Sequence, residues 1–293
     1  MIVKEAFLYE KFDNKSVKCH VCSHHCLIKE QSRGICGVRV NLGGVLYALN
    51  YNKTISRAID PIEKKPIYHF IPGTKTYSFA TEGCNLKCAW CQNWQISQAM
   101  QNEKDVYGQI ITPEEHVRDA LKYGCKSISY TYSEPTIFLE YAYDTMVLAH
   151  RNNLKNIWVS NGYMSKQTLN LIIDLVDAFN IDLKGFNNEK ITKYTGSLIE
   201  PVLENLKQIH KSHSHLEITT LIVPGVNDDI EQLKKIADFI RYELGEEVTW
   251  HISRFHPAYL MKNIEPTSLD IMQKAEKYAK EIGIRNIHLG NVF

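Results

Sequence analysis

Short apolar or β-branched runs alternate with longer amphipathic segments from about residue 75 to the end of the chain. Turn residues bound each short run, which is typical of buried strands. Six strands are predicted, at Thr76–Thr81, Ser127–Tyr132, Asn156–Ser160, Ala178–Leu183, Leu216–Val223 and Val248–Ser253. Helices are predicted between them and after the last one, at about 112–124, 135–151, 166–177, 201–211, 228–243 and 267–282.

Two of these helices have recognisable ends. The segment from Thr112 to Glu115 reads Thr-Pro-Glu-Glu, which predicts a capping box with proline at the first helical position. Thr267 is the predicted N-cap of the last helix, which is expected to end at Gly283.

Six β-α repeats indicate a parallel sheet, and right-handed crossovers leave a doubly wound sheet or a barrel. Polar residues follow the strands at the end where barrel enzymes place their chemistry. These residues are Cys84, Glu134, Asn161, Asp182, Lys184, Pro224 and His256. The predicted fold class is therefore α/β, a full or partial (β/α)6 TIM-like barrel.

The first 75 residues have a different pattern from the rest of the chain. They contain four cysteines and few periodic segments, and residues 60–73 contain three prolines that indicate an extended connection. We therefore predict two parts, an N-terminal cysteine-rich, metal-stapled region at 1–75 and the barrel at 76–293.

Composition and charge narrow the class of protein. Hydrophobic residues make up 44% of the chain and charged residues 23%, and the net charge is +1, so no membrane or nucleic-acid partner is predicted. The N-terminus has no apolar signal segment and no apolar run reaches the ~20 residues of a membrane span, which predicts a cytoplasmic protein. In that reducing compartment, cysteines are better interpreted as metal ligands or redox thiols than as disulfides.

Three cysteines follow the first predicted strand with C-x3-C-x2-C spacing: Cys84, Cys88 and Cys91. A 4Fe-4S cubane usually takes four thiolates, so three on one loop leave one iron open for a substrate. S-adenosylmethionine (SAM) can chelate that iron, and one electron then breaks its sulfur–carbon bond. Zinc, a disulfide and buried thiols are the alternatives; the preceding strand, the β/α array and aromatic Trp90 favour the cluster.

The C-x3-C-x-aromatic-C motif resembles the signature of the radical SAM superfamily. The wider chain is similar to activating enzymes of glycyl-radical enzymes, and more closely to the radical SAM members of the AmmeMemoRadiSam system. The segments that carry this resemblance are CHVCSHHCLIKEQSRGICGVR, DPIEKKPIYHFIPG, GCNLKCAWCQNWQISQ, YTYSEPT, NIDLKGF and LIVPGVND. The resemblance implies an enzyme that cleaves SAM to a 5′-deoxyadenosyl radical for hydrogen abstraction.

The resemblance also implies partners. They are SAM, a reductant such as a flavodoxin or ferredoxin, and a peptide or protein substrate. That substrate is expected to be a glycyl-radical enzyme or a Memo-like protein. Two different functions stay open at this point: a non-catalytic metal-binding interaction module, and an electron carrier with a closed cluster.

Several residues correspond to positions that contact SAM in this family. Glu134 corresponds to a contact with the SAM amine, and Asp182 and Lys184 to a pair close to SAM. The alternatives are a helix N-terminal glutamate for Glu134 and a salt bridge in the barrel mouth for the pair. Asn93 and His256 also match SAM-contacting positions, with a helix cap and a structural histidine as the alternatives.

Asn161-Gly162 ends the third predicted strand. Glycine permits close approach of the backbone to a ligand, so this position is a candidate cofactor contact, and an ordinary tight turn is the alternative.

The N-terminal cysteines have C-x2-C-x3-C-x9-C spacing: Cys19, Cys22, Cys26 and Cys36. Four thiolates complete either a zinc site or a closed iron–sulfur cluster. Zinc is the first interpretation, an auxiliary cluster the second, and free thiols the alternative to both. Cys125 stands alone and is predicted to be a buried, apolar-like side chain.

Overall fold

The computed structural model describes residues 4–101 and 105–292. In chain order its strands are β1 (Lys4–Glu5), β2 (Tyr9–Lys11), β3 (Val17–Cys19), β4 (Leu27–Ile28), β5 (Arg39–Leu42), β6 (Val45–Ala48), β7 (Lys53–Thr54), β8 (Ser56–Pro61), β9 (Lys75–Ala80), β10 (Gln109–Ile110), β11 (Ser127–Tyr130), β12 (Lys155–Ser160), β13 (Ala178–Asp182), β14 (His215–Ile222), β15 (Thr249–Arg254) and β16 (Ile287–Gly290). Its α-helices are α1 (Trp94–Ser97), α2 (Pro113–Lys122), α3 (Leu139–Arg151), α4 (Lys166–Ile172), α5 (Asn188–Thr195), α6 (Glu200–His210), α7 (Ile230–Phe239) and α8 (Leu269–Glu281).

One eight-stranded sheet, in the order β16-β15-β14-β13-β12-β11-β9-β8, forms the centre of the protein. Its strands run parallel except for β8, which pairs antiparallel with β9 at one edge. The six predicted strands are confirmed, and the structure adds β16 and β8. Because β16 and β8 stand at opposite ends of this order, the sheet is open and the barrel is partial.

Alternate residues of the central strands face two different layers. Trp158 and Phe179 pack in the core between the sheet and its helices, whereas Ile157 and Ala178 pack on the other face against Ile62 and Ile67. Burial on both faces explains why these strands are continuous apolar runs in the sequence. The inner face is covered by residues 62–71, which we call the inner segment.

Glu217 on β14 anchors the inner segment. Its Oε1 accepts hydrogen bonds from the backbone amides of Tyr68 and His69, both at 2.8 Å. Its Oε2 accepts from the ring of His251 on β15, and the Glu217 side chain is fully buried. These donors outweigh the effect of burial, which alone would raise the pKa of Glu217, and lower that pKa to about 2.

Replacing Glu217 with glutamine is expected to lower the free energy of unfolding by about 1–3 kcal/mol, since a buried network loses its negative charge and one of its two acceptor oxygens. The folded pKa is depressed, so the stabilisation exists above the unfolded value of about 4.3 and is lost as the pH falls toward 2. Urea unfolding at pH 7 and pH 3.5 measures both effects. A Glu217→Gln variant with the same pH dependence as the unmodified protein would contradict the assignment.

The N-terminal residues form small antiparallel sheets beside the barrel. These are β1-β6-β5 and β2-β3-β4, and a further pair, β10-β7, joins this region to the segment before α2. A buried ion pair between Arg39 and Glu140 on α3 ties the region to the barrel, with Nη2–Oε2 at 2.8 Å. In the described part of the chain, no helix has the length and apolarity to cross a membrane.

The helix ends agree with the sequence at α2 and differ at α8. Thr112 and Glu115 form the predicted capping box. The N-cap of α8 is Ser268 instead of Thr267. The Thr267 hydroxyl is buried, where it donates to the Ile222 carbonyl and accepts from the Phe255 amide. The prediction for Thr267 was wrong because a tertiary hydrogen bond took its hydroxyl.

Candidate active site

The loop after β9 places three cysteines around one cavity. Cys84, Cys88 and Cys91 are half-buried and line a cavity of about 460 Å³ at the carboxyl ends of the parallel strands. Burial raises the pKa of the Cys88 thiol to about 11, against the lowering effect of the Lys184 ammonium. Cysteine binds iron as the thiolate, so the binding of a metal at this loop would release the proton of the Cys88 thiol.

Backbone contacts hold this loop in place. The amides of Lys87 and Ala89 donate to the carbonyls of Thr195 and Tyr194 at the end of α5, at 2.8 and 3.0 Å. Trp90, only 4% exposed, packs in an apolar cluster with residues of α5 and of the loops after β14 and β15, among them Ile191, Val223 and Phe255. The aromatic residue before the third cysteine thus anchors the loop.

Gly83 lets the N-terminal region lie directly against the cysteine loop. Its φ is +97°, and a Cβ added there would lie 2.9 Å from Val38 Cγ1 and 3.0 Å from the Cys36 carbonyl oxygen. A side chain at this position would strain the backbone and would also clash with Val38 and with the Cys36 carbonyl group.

Replacing Gly83 with alanine is therefore expected to cost about 2–4 kcal/mol of unfolding free energy and to reduce iron loading. Gly124→Ala is the matched control, because its φ of +69° is also left-handed but nothing lies within 4 Å of the added Cβ. Urea unfolding and iron analysis measure the difference between the two variants. If both variants lose the same unfolding free energy and the same amount of iron, the contact with Val38 is not the cause of the loss.

Glu134 is buried at the opposite wall of the same cavity. Its Oε1 accepts from the amide and hydroxyl of Thr136, at 3.0 and 2.6 Å, and from the Ser160 hydroxyl at 2.8 Å. Its Oε2 accepts from the Asn161 amide at 2.9 Å. Glu134 is also the N-cap of the 3₁₀ helix at Pro135–Phe138, so the same side chain lines the cavity and caps the start of this helix.

Asn161 connects Glu134 to the cysteine loop. Its Nδ2 donates to Asn85 Oδ1 at 2.8 Å and lies 3.9 Å from Cys84 Sγ. Gly162 follows with φ +73°, and an added Cβ would lie 2.7 Å from Ile181, so this glycine serves packing against the neighbouring strand.

Asp182 and Lys184 form an ion pair on the cavity wall, with Nζ–Oδ2 at 2.7 Å. Burial opposes the charged form of Lys184, but the Asp182 carboxylate outweighs burial and raises the pKa of this ammonium. The pair lies close to the Cys88 thiol, where the Lys184 ammonium lowers the pKa of that thiol and the Asp182 carboxylate raises it.

Of the two remaining candidates, Asn93 and His256, only Asn93 lines the cavity. Asn93 lines the cavity and donates from Nδ2 to the Tyr132 carbonyl at 2.8 Å, and its side chain does not cap α1. His256 is not among the cavity-lining residues, and its Nε2 lies 3.0 Å from the carbonyl oxygen of Asn291, which does line the cavity.

Asp60, Lys65 and Tyr132 form a cluster at the floor of the cavity that was not predicted from the sequence. Lys65 is 2% exposed, pairs with Asp60 at 2.7 Å and lies 4.2 Å above the Tyr132 ring. Burial lowers the pKa of Lys65 to about 8, although Asp60 opposes this shift. Tyr132 adopts φ +64° and its hydroxyl donates to Asp60. Within the sequence, only the motifs DPIEKKP and YTYSEPT pointed to these segments.

The N-terminal cysteines lie apart from this cavity. Cys19, Cys22, Cys26 and Cys36 line a separate small cavity beside Arg39. Among the residues with described positions, no three His, Cys, Asp or Glu side chains already surround a position for one metal ion. Cys125 is buried in the main core, as predicted.

The cavity brings together groups suited to an iron–sulfur cluster and a polar ligand. Three soft thiols on one loop match three corners of a cubane, where each sulfur binds a different iron. A buried carboxylate and a charged Asp–Lys pair face the same space and can bind an amine and a carboxylate. The donor set therefore fits a cluster with one iron left for a ligand.

Comparisons with known proteins agree with this geometry. The family model described as the Radical SAM superfamily matches residues 79–240, more than half of the chain. An uncharacterized protein of Methanocaldococcus jannaschii is 46% identical over 290 residues, covering 99% of this chain and 86% of that protein. A pyruvate formate-lyase-activating enzyme of Staphylococcus epidermidis is 24% identical over 232 residues, covering 71% of this chain and 89% of that enzyme.

The fold has a counterpart among solved structures. A radical SAM methyltransferase from Sphaerobacter thermophilus superposes with a TM-score of 0.57 at 13% identity, covering 98% of this chain and 76% of that chain. This likeness shows the shared fold alone. The family match over more than half of the chain establishes that the chain belongs to the radical SAM superfamily and is a radical SAM enzyme.

Proposed function

We propose that the protein cleaves SAM reductively at a 4Fe-4S cluster held by Cys84, Cys88 and Cys91, and uses the radical on a peptide or protein. One observation carries this proposal: the three thiols and the polar groups of three successive strands face a single cavity of about 460 Å³. When bound, the cluster supplies one electron that breaks the sulfur–carbon bond of SAM.

The protein's own residues bind and orient SAM in this proposal. Glu134 Oε2, which accepts one backbone hydrogen bond, also accepts from the SAM amine. The Lys184 ammonium and Asp182 hold polar groups of SAM across the mouth, and Asn93 contacts it from the cysteine loop. Lys65 and Pro66 of the inner segment line the cavity, and in this proposal they limit the access of water to it.

The experiment is anaerobic turnover after reconstitution with iron and sulfide. Reduced protein with SAM is expected to form 5′-deoxyadenosine and methionine in equal amounts, measured by mass spectrometry. Dithionite serves as the chemical reductant in this reaction. A flavodoxin or ferredoxin is the proposed physiological reductant, so it should support turnover in place of dithionite. Protein that holds about four irons in this site and forms no 5′-deoxyadenosine would disprove the proposal and favour an electron carrier.

A glycyl-radical activase is the second candidate. It is supported by the relative named pyruvate formate-lyase-activating enzyme, which aligns over 71% of this chain. Turnover with a candidate glycyl-radical enzyme should give the doublet of a glycyl radical in electron paramagnetic resonance. Deuterium transfer from another labelled partner protein into 5′-deoxyadenosine, without that doublet, would instead favour a different protein substrate.

A further inference from the structure

The four N-terminal cysteines converge on one enclosed space. Cys19 ends β3, Cys22 and Cys26 lie in the turn before and beside β4, and Cys36 comes from the loop before β5. All four line the same small cavity, although they come from different segments of the region. Three of them are buried, at 5%, 9% and 8% exposure for Cys19, Cys22 and Cys36.

Backbone amides are aimed at these sulfurs. The amides of Val21, His24 and Val38 hydrogen-bond the sulfurs of Cys19, Cys22 and Cys36, each two residues further along the chain. The same pattern occurs at Cys84 in the active-site loop, where the Leu86 amide lies 3.4 Å from the sulfur. Amide donors stabilise thiolates, and they are a usual feature of metal-bound cysteine sulfur.

A buried cation completes the surroundings. Arg39 lines the cavity and pairs through Nη1 and Nη2 with Glu140, at 3.0 and 2.8 Å. Its Nε is buried without a hydrogen-bond acceptor among the residues that the structure describes. An orphaned N–H of a buried guanidinium is costly, and an anionic sulfur centre in the cavity supplies the missing acceptor.

The size of the cavity distinguishes two kinds of centre. Sulfurs of a tetrahedral zinc site lie about 2.3 Å from the ion, which leaves no room for a water-sized sphere between them. The cavity that these cysteines line together with Arg39 holds about 10 Å³, the space of one such sphere. In the part of the chain that the structure describes, no three His, Cys, Asp or Glu side chains already surround one ion position, whereas the thiolates of a cubane each bind a different iron.

We propose that Cys19, Cys22, Cys26 and Cys36 bind a second 4Fe-4S cluster, closed by four thiolates and paired with Arg39. The centre would lie near the SAM site, because Cys36 and Cys84 both line one cavity of about 630 Å³. Four protein ligands leave no iron for SAM, so this cluster differs from the barrel cluster in chemistry. The inference does not depend on SAM cleavage.

The test counts metals in the full chain after anaerobic reconstitution. Unmodified protein is expected to hold about eight irons per chain, and the Cys84→Ala/Cys88→Ala/Cys91→Ala variant about four, with a brown chromophore. The reduced cluster of that variant should give an electron paramagnetic resonance signal that SAM does not change.

The complementary variant Cys22→Ala/Cys36→Ala should also hold about four irons, and its electron paramagnetic resonance signal should change when SAM is added. Cys125→Ala should match the unmodified protein.

Three outcomes would overturn the proposal. One is about one zinc and no iron in the triple variant, which would indicate a zinc staple. Another is no metal in that variant, which would indicate free thiols. The third is a SAM-sensitive signal from the triple variant. None of these measurements requires Cys22→Ala/Cys36→Ala to fold, because the triple variant keeps all four N-terminal cysteines. A failure of SAM cleavage alone would leave the iron count intact.

Discussion

Alanine in place of Cys88 is expected to reduce 5′-deoxyadenosine formation at least a hundredfold, to background. Two thiols on the loop leave two irons of a cubane without protein ligands, so a stable cluster does not form. The change is small, because Cys88 is only half-buried and lines the cavity at the edge of the core. Unfolding by urea should therefore change by less than ~1 kcal/mol.

The matched control is Cys125→Ala. Cys125 is buried in the main core and touches neither cysteine group, so its loss removes a thiol without removing a ligand. Mass spectrometry of anaerobic reactions should show full turnover for this variant. Turnover within twofold of the unmodified protein for Cys88→Ala would contradict the ligand assignment.

Methionine in place of Arg39 is expected to lower the free energy of unfolding by about 3–5 kcal/mol, because it leaves the Glu140 carboxylate buried without its cation. Arg39 and Glu140 have side chains only 2% and 1% exposed, so water cannot replace the lost partner. Glu140 also accepts from the Phe7 amide at 3.0 Å, which joins three segments at one carboxylate.

A double-mutant cycle tests the origin of this loss. Arg39→Met/Glu140→Leu removes both charges and should recover a large part of the stability lost in Arg39→Met. Arg57→Met is the surface control, since the Arg57–Asp119 pair is 45% and 19% exposed and should be worth less than ~1 kcal/mol. Urea unfolding measures Arg39→Met, Glu140→Leu, the double variant and Arg57→Met. If the double variant is as unstable as Arg39→Met, the loss does not come from an unpaired charge.

The sequence predicted the elements of the barrel because their signals are local. Apolar runs bounded by turns gave the six strands, and each strand buried on both faces needs such a run. The ends of the strands also indicated where the site would form. Cys84, Cys88 and Cys91 could be grouped from the sequence since they share one loop, and a loop brings its own residues together in any fold.

The edge strand β8 and the contacts of the inner segment have no comparable local pattern in the sequence. The strand β8 pairs antiparallel at the edge of the sheet and ends at a proline, and only its last two residues lie in the stretch 60–73 that the prolines predict to be an extended connection. The inner segment is held by Glu217, about 150 positions further along the chain, through amides that any residue could supply. Nothing in a local window distinguishes that glutamate from one on the surface.

The sequence by itself determined the family, the kind of barrel and the three cysteines of the active-site loop, because spacing and periodicity are properties of neighbouring residues. Only the tertiary structure decided which distant side chains share a space. Asp60 meets Tyr132 below the cavity, Arg39 meets Glu140 beside the N-terminal cysteines, and Cys36 lies against Gly83. These contacts depend on the register of the strands and the closure of the sheet, which join segments far apart along the chain.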